Sequence, residues 1–138
     1  MIRAEAVINL DAVRRNLSTI GRALYGPVTM AVVKADAYGH GMVPVARAAR
    51  SAGVPWLGVA LLSEARDLRA SGDSGRMLAW LWAPRDDHLG PCVEADVDIS
   101  VSSTWALAEV ADVARRLGVR ARVHLKVDTG LSRNGAAL

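Results

Sequence analysis

Apolar residues in this chain follow two rhythms that alternate along its length. Val13, Leu17, Ile20 and Leu24 recur at spacings of four, three and four. That is the one-sided stripe of an amphipathic helix from about Leu10 to Leu24, with Arg14, Arg15 and Arg22 facing out. A short strand from Ala6 to Asn9 is expected to lead into it, Asn9 is placed to cap it, and Gly26-Pro27 ends it. Val28 to Val33 reads as a buried strand that delivers Lys34 to its end. After the Tyr38-Gly39-His40-Gly41 turn, Pro44 suits the first turn of a helix reaching about Ala52, where Gly53 stops it. Trp56 to Ala60 is the next strand, and Ser63 is expected to cap a helix from Glu64 to Ala70. Met77 to Trp82 has strand length. An irregular stretch through Pro84 and Pro91 follows, with a short helix near Leu89 to Ala95. Val97 to Val101 is a strand, and Ser102 or Ser103 caps a helix from Thr104 to Leu117 whose stripe is Leu107, Val110, Ala114 and Leu117. Ala121 to Val127 is the last strand, and Asp128 to Gly135 a glycine-punctuated loop.

Strand–helix alternation at this spacing specifies an α/β fold with a parallel sheet, either open or closed into a barrel. Both architectures gather chemistry at the C-terminal ends of strands. Lys34 to Gly41 and Lys126 to Gly135 each follow a strand directly, so they are expected on the same face of the sheet. An eight-stranded barrel typically takes ~250 residues. With 138 residues and about five strands after the first helix, residues 1–138 are expected to be the N-terminal part of a longer barrel chain. The open edge of the last strand would then promote self-association of the piece alone.

Composition narrows the class. Hydrophobic residues make up 51% and charged residues 22%, which suits a packed core rather than a disordered chain. The net charge of +3 comes from scattered arginines with no aromatic-interleaved basic block, which speaks against a nucleic-acid partner. The single cysteine, Cys92, excludes an internal disulfide and suits a reducing compartment. Met1-Ile2-Arg3-Ala4-Glu5 lacks the layout of a signal peptide, and no apolar run reaches the ~18 residues of a membrane span. The expected location is the cytoplasm, away from membranes.

One count changes the picture. Of the 17 basic residues only Lys34 and Lys126 are lysines, and the other fifteen are arginines. An amine can lose its proton, attack a carbonyl or take up carbon dioxide, whereas a guanidinium stays protonated. A lysine at the mouth of an apolar strand can form a Schiff base, and the cofactor that uses one next to an amino group is pyridoxal phosphate. Tyr38, beside two glycines, is placed to offer its hydroxyl to the phosphate near the following helix start; the plainer reading is a half-buried turn aromatic. His40 reads as a surface turn residue. In the second stretch, alternation points His124 and Lys126 to one side of the strand, and an inward Lys126 needs a partner or a modification. Arg133 can present a planar fork to an anionic or phenolate oxygen. Val127-Asp128-Thr129-Gly130 matches a short aspartic-protease signature, but those proteases are all-β, and this chain alternates strands with helices.

Val32-Val33-Lys34-Ala35-Asp36-Ala37-Tyr38-Gly39-His40-Gly41 resembles the pyridoxal-phosphate attachment signature of alanine racemases. His124-Leu125-Lys126-Val127-Asp128-Thr129-Gly130-Leu131-Ser132-Arg133-Asn134-Gly135 resembles that family's second signature, with a small variation at Leu131-Ser132. Between them, Gly58-Val59-Ala60 and Ser63 to Arg69 resemble its strand–helix unit. The resemblance implies a parallel (β/α) barrel of TIM type, here its N-terminal portion only, with the C-terminal β domain absent. It also implies a homodimer that interconverts L-alanine and D-alanine by two-base α-proton exchange on pyridoxal 5'-phosphate, supplying D-alanine for peptidoglycan.

Carried over by position, the resemblance makes Lys34 the Schiff-base lysine and one of the two bases, and Tyr38 a phosphate ligand. It makes Arg133 the contact to the cofactor's phenolic oxygen and to the substrate carboxylate, and Lys126 a carbamylated lysine whose negative charge holds Arg133. The family's opposite-face base is a tyrosine donated from a C-terminal domain across the dimer. The tyrosines here are Tyr25 and Tyr38, and neither fits that position. The 138 residues alone are therefore expected to be inactive. The alternatives are a related racemase for serine or a broader set of amino acids, and a non-catalytic barrel protein that holds the same cofactor.

Overall fold

In the computed structural model, which describes residues 4–137, five short parallel strands alternate with helices. The elements run α1 (Leu10–Ala23), β1 (Met30–Val32), α2 (Lys34–Gly39), α3 (Met42–Ser51), β2 (Trp56–Leu61), α4 (Leu62–Ala70), β3 (Arg76–Leu81), α5 (Leu89–Glu94), β4 (Asp98–Val101), α6 (Thr104–Leu117) and β5 (Val123–Leu125). All neighbours pair in parallel, and the order in space is β1-β2-β3-β4-β5. Crossovers between parallel strands are right-handed. A sheet that adds every new strand on the same side therefore keeps its helices on one face, as the wall of a barrel does. A doubly wound sheet must reverse direction at a switch point, and none occurs among the described residues.

Alternation along the strands separates the two faces. Leu57, Val59, Met77, Ala79 and Ile99 point at the helices and are fully buried. They meet Ala46 and Ala49 of α3, Leu62, Ala65 and Leu68 of α4, Cys92 of α5, and Val110 of α6, all in one core. Alanines on the helices let them lie close to the sheet. Burying each large aliphatic side chain contributes about 1.5–3 kcal/mol. Gly58 lies on the opposite, concave face, where a Cβ would stand 2.8 Å from Met30 Sδ and 2.9 Å from the Trp80 ring. Only glycine lets those two large side chains share that wall.

The lower end of the concave face is closed by charge. Trp56, Arg76 and Asp98 are the first residues of β2, β3 and β4. The fully buried Asp98 accepts hydrogen bonds from Arg76 and Arg122, both at 2.7 Å, and lies 2.8 Å from His124 Nε2. Arg76 also stacks 4.3 Å over the Trp56 ring. Burial alone would raise the Asp98 carboxyl, but the hydrogen bonds from Arg122, Arg76 and His124 outweigh it and hold the group below the usual carboxylate range.

Several expectations are corrected. Ala6 to Asn9 forms no strand, because no neighbour pairs with it and Val7 is 80% exposed. Asn9 does cap α1, accepting from Ala12 N–H at 3.0 Å, but α1 buries no residue fully. Its stripe lies against α3, and Ile20 and Leu24 are left exposed. Ser63 is not a cap: α4 starts at Leu62, and Glu64 reaches back to the Leu61 N–H. Ser103, rather than Ser102, caps α6. That helix turns Ala106, Val110, Val113 and Ala114 inward and leaves Leu107 and Leu117 exposed, so the buried stripe sits one position away from the leucines.

Two outcomes test this packing. Replacing Asp98 with Asn keeps the shape but leaves two guanidinium donors facing an amide, and is expected to cost about 1–3 kcal/mol in chemical denaturation. Because the folded carboxyl is depressed, its contribution is present above the unfolded value of about 3.9 and fades as pH falls through the lower folded value. As pH falls below about 4 the wild-type and Asp98→Asn stabilities should therefore begin to converge, and they should meet only below the folded value. Burial pushes the Cys92 thiol up to about 11, and its Sγ lies 3.3 Å from the Leu62 carbonyl oxygen. Alkylation at neutral pH should label Cys92 only after unfolding.

Candidate functional site

Lys34 stands where β1 ends. Val33 makes the final bond between β1 and β2, donating its N–H to the Gly58 carbonyl at 2.9 Å. The chain then turns into α2, which is a left-handed turn: Ala35, Asp36, Ala37 and Tyr38 have φ between 50° and 58°. Left-handed geometry costs an L-residue about 1–2 kcal/mol each and is rare in succession. The surrounding bonds hold it. Ala35 N–H donates to Glu64 Oε1 at 2.6 Å, Ala37 N–H to the Val33 carbonyl at 2.9 Å, and Met42 N–H to Asp36 Oδ1 at 2.7 Å. His40 Nδ1 lies 2.8 Å from the Ala37 carbonyl, so it ties down the turn. The expected glycine-flanked turn is present, but most of its unusual backbone falls on residues that are not glycine, which composition does not announce.

The second stretch leaves β4 and β5 together. Lys126 N–H donates to the Val101 carbonyl at 2.8 Å, and the loop folds back so that Val127 pairs with Ala136. Asp128 Oδ1 accepts from the N–H groups of Gly130 and Ser132 at 2.9 and 3.0 Å, which holds its carboxyl below the usual range. This aspartate is engaged as a turn former, which disposes of the protease-like match. At Gly135, where φ is 147°, a Cβ would stand 2.4 Å from the Asp128 nitrogen, so only glycine lets the two arms of the loop touch. Lys126 Nζ donates to the Asn134 carbonyl at 2.5 Å, and Ser102 Oγ donates to Asn134 Oδ1 at 3.2 Å. Asn134 is thus fixed from two sides, next to Arg133.

The two stretches meet as the strand polarity requires. A pocket of about 540 Å³ is lined by Lys34, Ala60, Trp80, Leu81, Lys126, Arg133 and Asn134. Three of the four expected site residues, Lys34, Lys126 and Arg133, line it, and among the described residues none that lines it is acidic. Tyr38 lies outside that lining, with its ring 5.3 Å below Lys34 Nζ and 60% exposed. No sequence pattern marks Trp80 or Asn134 as pocket residues. Trp80 was hidden inside an apolar run in which only strand alternation marks the concave face, and Asn134 acts mainly through its carbonyl, which no side-chain pattern reveals. Larger hollows on the outer surface, such as the one among Arg47, Arg50 and Asp73, are lined by side chains already bonded to one another. Among the described residues no helix is long and apolar enough to cross a membrane.

Known proteins share this fold and much of this sequence. The family model for the alanine racemase N-terminal domain matches residues 8–138. The alanine racemase of Beutenbergia cavernae is 55% identical over 136 residues, covering 98% of this chain and 35% of that protein. That of Frankia casuarinae is 53% identical, with 98% and 35% covered. Among solved structures, the alanine racemase from D-cycloserine producing Streptomyces lavendulae superposes with a TM-score of 0.91 at 51% identity, over 94% of this chain and 34% of that one. The enzyme from Streptomyces coelicolor gives 0.90 at 50% identity. The chain therefore spans about a third of the length of these relatives. With its strand order, its two lysines and its arginine in one pocket, the chain belongs to the alanine racemase family, in which it corresponds to the N-terminal domain.

Proposed function

We propose that residues 1–138 form the N-terminal part of a cytoplasmic, homodimeric alanine racemase, holding the lysine side of a site that interconverts L- and D-alanine with pyridoxal 5'-phosphate. The observation that carries this reading is the pocket itself: three cationic side chains converge there with no lining carboxylate, and two of them are the only lysines in the chain. Such a wall suits a ligand with several negative oxygens, and one amine in it is free to react. These residue types fit the cofactor. Pyridoxal phosphate, when bound, supplies an aldehyde for an amine and an electron sink that acidifies the α-hydrogen of an attached amino acid.

The roles of the chain's own residues follow from their chemistry. Lys34 would hold the cofactor covalently, and its Nζ, once displaced by the substrate amine, would take or return the proton at the substrate Cα on one face. Tyr38, beside the lysine, would offer its hydroxyl to the phosphate. Arg133 would meet the phenolic oxygen and orient the substrate carboxylate. Lys126, if carbamylated, would turn from a cation beside Arg133 into its anionic partner, which removes a like-charge neighbour from the pocket. Trp80 and Leu81 would exclude water from the reacting side. Proton exchange on the opposite face needs a second base, which the resemblance assigns to a tyrosine of another protomer.

Adding pyridoxal phosphate should produce the visible absorbance of the cofactor joined to a protein amine, and Lys34→Ala should abolish it; an unchanged band in the variant sinks the assignment. In the intact gene product, solvent deuterium should enter the alanine α-carbon. Cofactor binding without that exchange would favour a non-catalytic binder. Carbon-13 bicarbonate should give a carbamate resonance that Lys126→Ala removes.

A further inference from the structure

We infer that Glu64 is the positioning residue for the Lys34 amine, an inference that rests on the reading of Lys34 as the cofactor-holding lysine. In a parallel ladder the bond after Val33 N–H to the Gly58 carbonyl would run from Ala35 N–H to the Ala60 carbonyl. That bond is replaced. Ala35 N–H donates to Glu64 Oε1 at 2.6 Å, while Ala60 N–H and Leu61 N–H both donate to Oε2 at 2.9 Å. The carboxylate is wedged between β1 and β2 where they part, and it sets their separation beside the lysine.

Capping alone does not explain this arrangement. An acid three residues into a helix serves its cap by accepting the Leu61 N–H, which needs one oxygen. The other oxygen reaches 29 residues back in the chain, to the residue after Lys34. There it anchors the entrance of the left-handed turn, while Asp36 anchors the exit through Met42 N–H. The whole excursion from Ala35 to Tyr38 hangs between these two carboxylates. Both oxygens are needed as acceptors, so a carboxylamide of the same size must turn its NH2 group toward one set of donors. Glu64→Gln therefore breaks one side of the wedge without changing its volume.

The test uses the intact gene product with pyridoxal phosphate. It measures the rate at which borohydride traps a pyridoxyl group on Lys34, by peptide mass spectrometry across pH, together with hydrogen exchange at the Ala35 amide. Both Glu64→Gln and Glu64→Asp, the second keeping the charge but one methylene shorter, should slow trapping by roughly 10–100-fold. Both should also speed exchange at Ala35. Arg69→Ala cuts contacts at the far end of α4 with Asp73, Gly75, Ala95 and Asp96. It should lower thermal stability but leave both readouts at the wild-type level. Wild-type trapping rates in either foldable Glu64 variant overturn the inference, as does an equal loss in Arg69→Ala. Trapping of the unsubstituted protein at sites other than Lys34 overturns the reading beneath it.

Discussion

The handedness of the crossover between parallel strands is the constraint on which the rest of this molecule depends. Because every connection turns the same way, all helices fall on one side of the sheet and every strand points its C-terminal end the same way. Lys34 at the end of β1 and Lys126 beyond β5 are separated by 92 positions in the chain and by three intervening strands, yet they face one pocket. No local interaction brings them together. The winding does, and the fully buried side chains of the helix-facing layer hold the winding in place.

The two ends of the concave face are built on opposite electrostatic terms. At the strand starts, Asp98 is shared among Arg76, Arg122 and His124, so its charge is fully partnered and contributes rigidity. At the strand ends, Lys34, Lys126 and Arg133 converge without a lining carboxylate, and the backbone after Lys34 carries positive φ through four residues that are not glycine. Charge left unneutralised and backbone strain left in place are what the proposed anionic ligand would meet at this end.

Much of this was legible in the residues. Element order, the parallel sheet and the shared face of the two chemical loops follow from periodicity and chain order alone, and Asn9 marks a helix start where capping chemistry places it. The failures have specific causes. Ala6 to Asn9 has strand-like composition but no neighbour to pair with, and pairing is not encoded locally. On α6 the apolar spacing places Val110 and Ala114 correctly in the buried face, but the sheet accepts the smaller Ala106 and Val113 beside them and leaves Leu107 and Leu117 exposed. The left-handed turn after Lys34 was invisible because Ala35 and Ala37 have no preference for it; tertiary bonds from Glu64 and Asp36 impose it. Glu64 itself read as an ordinary first-turn acid, since its long-range partner is a backbone group.

The scarcity of lysine has a chemical corollary. Aldehydes condense with any accessible amine, and a protein surface rich in lysine competes with its own active site for a reactive carbonyl. Here fifteen arginines supply the dispersed positive charge, and both side-chain amines open onto a single cavity. Within these residues, side-chain imine formation with a simple aldehyde is thus confined to one hollow, so that composition favours the site before any shape recognition begins.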